Sequence, residues 1–99
     1  SINFPKAGAS RPGSTKILNY TGSGVVSTTA INSGVYHVRI LSQIPGFVAI
    51  DVAAASSGVG ALIAANTAAG DYFQCTPGLI VTFSSTTATT GSISVTEMS

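Results

Sequence analysis

The sequence predicts an all-β fold: a small antiparallel β-sandwich or jelly-roll-like barrel of about eight strands, preceded by an extended N-terminal arm. Three observations carry this. Val, Ile, Thr, Phe and Tyr dominate the apolar runs, as strands favour. Turn residues recur at short intervals, at Thr21-Gly22-Ser23-Gly24, Asn32-Ser33-Gly34, Pro45-Gly46, Ser56-Ser57-Gly58, Ala69-Gly70-Asp71, Pro77-Gly78 and Thr90-Gly91. The apolar positions alternate with period two.

Residues 1–13 hold Pro5, Gly8, Pro12 and Gly13, which interrupt regular structure, so they read as the arm, and residues 14–99 as one domain. Strands are expected over 14–20 and 24–30, then over 34–42, where alternation assigns Tyr36, Val38 and Ile40 to the buried face and His37 and Arg39 to the other. The next strand, 46–53, is apolar on both faces except at Asp51, which indicates a central or covered strand. Ala53 to Ala69 is the one helix-permissive stretch. Its Ser-Ser-Gly-Val-Gly interruption and missing 3.6-residue stripe favour a loop and a short strand at 60–64. Strands at 71–76, 78–85 and 91–98 complete the set, with Leu79, Val81, Phe83, Ile93 and Val95 inward. The polar tract from Ser84 to Thr90 then reads as a hairpin loop between the last two strands.

Composition bounds the function. Ninety-nine residues make one core. Charged residues are 7%, while Ser and Thr number 26, so hydroxyls wet the surface. A net charge of +1 offers no field for phosphates, which argues against a nucleic-acid partner. Asp51, Ser56, Ser57, Gly58 and Gly60 interrupt the apolar stretch from Val48 to Ala65, so no membrane span is expected. Cys75 stands alone, and packing or partner subunits must supply what a disulfide cannot. The opening residues lack an apolar signal-peptide core and look like a mature N-terminus that has lost its initiator Met.

The chemical inventory is thin. His37 is the only imidazole, and Asp51, Asp71 and Glu97 are the only acids. No Ser stands in a Gly-x-Ser-x-Gly elbow, and no ligand spacing for zinc or calcium occurs. No phosphate or dinucleotide loop is present. The expectation is therefore no catalytic residue, no metal and no cofactor. Asn19-Tyr20-Thr21 fits the glycosylation acceptor pattern, a triplet common by chance in a Thr-rich chain. An acid inside an apolar strand needs a partner. Arg39, across the Gln43-Ile44-Pro45-Gly46 turn, is the expected cross-strand partner of Asp51.

Taken together, Val35-Tyr36-His37-Val38-Arg39-Ile40, Gly46-Phe47-Val48-Ala49-Ile50, Ile63-Ala64-Ala65-Asn66-Thr67, Asp71-Tyr72-Phe73-Gln74-Cys75-Thr76-Pro77-Gly78 and Gly91-Ser92-Ile93-Ser94-Val95-Thr96-Glu97-Met98 give the chain a resemblance. Over roughly residues 33–99 it resembles small virion accessory proteins of tailed bacteriophages. The resemblance implies a capsid decoration or cement protein on the outer head surface, made in the host cytoplasm, partnered by the major capsid protein and by itself as a small oligomer. A trimer is the expected state, because the two-sided apolar strand 47–52 calls for a cover. The arm is read as a docking element, with Ile2 and Phe4 as apolar anchors and Lys6 and Arg11 as charges. A tail or baseplate component is one alternative. A carbohydrate-binding, adhesin-like sandwich is the other, disfavoured by the lack of Trp and by alternation that assigns Tyr36 and Phe73 to the interior.

Overall fold

A computed structural model describes residues 12–66 and 70–98. These form eight strands and no helix: β1 (Pro12–Thr21), β2 (Val26–Ser27), β3 (His37–Ser42), β4 (Gly46–Asp51), β5 (Ala61–Ile63), β6 (Asp71–Gln74), β7 (Ile80–Ser85) and β8 (Thr90–Met98). The order β1-β8-β3-β6 makes one antiparallel four-stranded sheet, here sheet I, and β2-β7-β4-β5 makes sheet II. Each of the pairs β1/β8, β2/β7, β3/β6 and β4/β5 is antiparallel. That is the pattern of one long hairpin with its tip between β4 and β5, rolled so that successive pairs fall in alternate sheets: a jelly roll.

The core follows the alternation. Val38 and Ile40 from β3, Val81 and Phe83 from β7, and Ile93 and Val95 from β8 are almost wholly buried. Tyr20 of sheet I meets Phe83 of sheet II edge to face, with ring centroids 5.8 Å apart at 84°. β4 lies between β7 and β5, so its two-sided apolar character is that of an interior strand.

Strand edges are short or blunted. β2, β5 and β6 have two, three and four residues. β1 is long but carries a register shift between Pro12 and Thr15, and the core-side Lys16 reaches Thr29 Oγ1 at 3.0 Å. Proline, bulges and inward charges are devices that discourage edge-to-edge pairing. β2 stops early because the Thr28 hydroxyl, not a backbone carbonyl, accepts the Val81 N–H at 3.1 Å.

Four expectations need correction. β7 and β8 lie in different sheets, so residues 86–89 form a crossover rather than a hairpin loop. β3 and β4 are likewise in different sheets, joined across the 43–45 link. Tyr36 is 54% exposed, because β3 begins only at His37 and the chain bends between buried Val35 and buried Val38. Strand β1 begins at Pro12, inside the segment read as an arm, and residues 1–11 lie outside the described residues.

Candidate functional site

The expected ion pair is not formed. Arg39 sits on the solvent side of sheet I, opposite Thr96 and Tyr72 in register, whereas Asp51 ends β4 in sheet II. Asp51 is exposed, and its Oδ1 accepts the Val52 N–H at 2.7 Å, a local turn bond. Arg39 Nε is buried and has no hydrogen-bond partner among the described residues. The arm residues Ile2, Phe4, Lys6 and Arg11 lie outside the described residues.

The titratable groups are dispersed. Among the described residues no three of the His, Cys, Asp and Glu side chains come together as a metal site would require. His37 faces Gln74 and Met98 in register, and Asp71 lies three positions further along the β3–β6 ladder, roughly 10 Å away. Glu97 is 3% exposed, and both its oxygens are occupied: Oε2 accepts the Asn32 N–H at 3.0 Å and Oε1 accepts the Asn32 amide at 2.7 Å. This carboxylate fastens the β2–β3 connection to β8. Cys75 is buried, and its thiol donates to the Val35 carbonyl at 3.8 Å. Burial, and secondarily the Glu97 charge, push the thiol above its ordinary value of 9.0, so little thiolate forms at neutral pH.

The distinctive surface is the β4–β5 connection. From Val52 to Leu62 the chain has no charged residue, and Val52, Val59 and Leu62 are 76%, 50% and 64% exposed. This apolar apron is fastened across the solvent side of sheet II. The Ala55 N–H donates to Thr82 Oγ1 at 3.1 Å and the Gly58 N–H to Ser84 Oγ at 2.9 Å. Thr82 and Ser84 are buried as a result, although alternation turns them away from the core. Gly60 has φ +112°, and a Cβ there would run into the Val48 carbonyl, so only glycine lets the segment lie this close. Leu62 then pairs with half-buried Phe47.

Sequence reasoning assigned a loop and a short strand at 60–64 to the stretch after Ala53 but did not show that residues 52–62 are displayed. Its anchors are hydroxyls two strands away along the chain, indistinguishable in sequence from those that merely meet water. Among known proteins, no family model, no curated sequence and no solved structure matches this chain.

Proposed function

We propose that this protein is a structural component of a tailed-bacteriophage virion, a decoration protein held on the outer head surface by the major capsid protein and by copies of itself. The observation that carries the proposal is the apron. Val52, Val59 and Leu62 project from a segment tied down by backbone and hydroxyl contacts, so their burial against a partner would cost little ordering. An exposed, fixed and uncharged apolar patch is the mark of a surface that is covered when the protein works.

Two further features support the reading. Jelly rolls recur in viral capsid domains, an analogy of fold. A hydroxyl-wetted surface with few charges lets many copies crowd without long-range repulsion. The trimer expectation changes its basis, since the apron covers part of the sheet II face that was to demand a neighbour. Self-association now rests on the apron itself, with docking by Ile2, Phe4, Lys6 and Arg11 as a second contact.

Co-sedimentation with undecorated phage heads tests the proposal. The full chain is expected to pellet with heads, and Val52→Ser with Val59→Ser and Leu62→Ser to stay in the supernatant. Binding to isolated tails in place of heads would transfer the protein to the tail, and binding to neither would sink the virion assignment.

A further inference from the structure

We propose that the solvent side of sheet I carries a binding site for a neutral saccharide, centred on Ser92 and Ser94. Because Ile93 and Val95 enter the core, Ser92 and Ser94 stand on the opposite face of β8. They are small residues on an interior strand, with larger ones beside them: Ser94 lies between Ile17 and Leu41 in register, and Ser92 lies opposite Asn19. The result is a depression of about 190 Å³ lined by Leu41, Ser42, Gln43, Asn66, Ser92 and Ser94, with no charged side chain among the described residues. That is room for a single sugar ring rather than a drug-sized ligand.

Its hydrogen-bonding capacity is held in place and only partly used. Gln43 Oε1 accepts the Ser92 N–H at 2.9 Å, and the amide hydrogens of that side chain have no partner among the described residues. Asn19 Oδ1 accepts the Ser92 hydroxyl at 3.3 Å, and its amide hydrogens have no partner among the described residues. The Ser94 hydroxyl donates to the Leu41 carbonyl at 3.4 Å, leaving its lone pairs to accept. Asn66 is positioned by its N–H donating to the Ser42 carbonyl at 2.7 Å, in a left-handed conformation at φ +52°.

Amide donors and hydroxyl acceptors therefore stand around the apolar Leu41 side chain, with Ile17 beside Ser94 in register on the β1 side. A pyranose presents the matching pattern, a ring of hydroxyls around an apolar C–H face. An anion would need a cation and a metal would need carboxylates; among the described residues neither lines this depression. Tyr72, 46% exposed, pairs with Arg39 two residues from Leu41 along β3, roughly 7 Å away. A second sugar unit running along β3 would meet that ring. The site shares no residue with the 52–62 apron, so this proposal and the virion reading stand or fall separately.

Titration of the ¹⁵N-labelled full chain with methyl α-D-glucopyranoside, methyl α-D-mannopyranoside, methyl β-D-galactopyranoside and N-acetylglucosamine, with inorganic phosphate as control, tests the site. Saturable amide shifts confined to Gln43, Asn66, Ser92, Ser94 and their neighbours are expected with at least one sugar and not with phosphate. Gln43→Ala and Asn66→Gly should each weaken that sugar about tenfold, the loss of one well-made hydrogen bond; glycine at position 66 retains the backbone conformation. The absence of saturable shifts with every sugar, shifts centred elsewhere, or unchanged affinity in both variants would overturn the proposal.

Discussion

The end of β8 and the β4–β5 connection invert the usual rule of what goes inside. At the first, a carboxylate, Glu97, is buried; at the second, Val52, Val59 and Leu62 face solvent. Residue type does not explain the difference. Position in the roll does. β8 is an interior strand with β1 and β3 on its two sides, so whatever occupies its inward positions is enclosed. The β4–β5 connection is the tip of the rolled hairpin, so its residues have one sheet beneath them and, among the described residues, no second layer above. Both regions are nevertheless fixed by the same means, polar side chains satisfying backbone N–H groups of a loop. Glu97 does this for Asn32, and Thr82 and Ser84 do it for Ala55 and Gly58.

The largest effect should come from breaking the buried side of the comparison. Glu97→Ala leaves two Asn32 donors without their acceptor and opens space under the β2–β3 connection, so a loss of about 2–3 kcal/mol is expected in urea denaturation. A loss below the scatter of a surface substitution would mean that water replaces the carboxylate freely and that the clamp is not structural.

Next in size is Gly60→Ala, with about 2 kcal/mol expected from the positive φ and the Val48 carbonyl together. Amide exchange should then quicken across residues 55–62 more than in β8. Uniform quickening would show that the apron and the core open as one unit. Ser84→Ala, which removes a single hydroxyl acceptor, should cost about 1 kcal/mol with the same local exchange signature.

A smaller effect is the pH response of Cys75, which packs near the Glu97 end. Its folded-state pKa is raised, so the folded chain holds the thiol proton more tightly than the unfolded chain does. That contribution to stability is fully present below pH 9.0, the ordinary value, and is lost as pH rises through the folded value. Thermal melts between pH 8 and pH 10 should therefore fall more steeply for the native sequence than for Cys75→Ala. Parallel slopes would remove the thiol from the account. The smallest change in stability is expected for Val52→Ser, Val59→Ser and Leu62→Ser, within about 0.5 kcal/mol each, because their side chains lie in solvent. If they instead destabilise the isolated chain, the apron is part of the fold and not a surface awaiting cover.

Much of this was legible in the sequence. All eight strands overlap the segments that turn residues and alternation mark, although β2 keeps only Val26–Ser27 of the expected 24–30, and Ile93, Val95, Val81 and Phe83 point inward as the period requires. Even the burial of Glu97 has a trace, since it shares parity with Ile93 and Val95. The candidate sites were less legible. The uncharged run 52–62 is visible in the sequence, but its anchors on β7 are not, and the depression on the solvent side of sheet I gathers side chains from β3, the 43–45 link, β8 and Asn66 that no linear motif joins.

Two expectations, the β7–β8 hairpin and the Arg39–Asp51 pair, went wrong for one reason: strands adjacent in the chain were taken as adjacent in a sheet. In this fold only β4 and β5 are both, and the other six connections cross between sheets. The sequence by itself determined which residues form strands and which face of each strand is apolar, because φ/ψ preference and period-two alternation act within a few residues. Which strands pair was decided only by the tertiary structure. An apolar face is satisfied by any other apolar face, and the choice of partner depends on closing the whole roll, with β1 against β8 across nearly the full length of the chain.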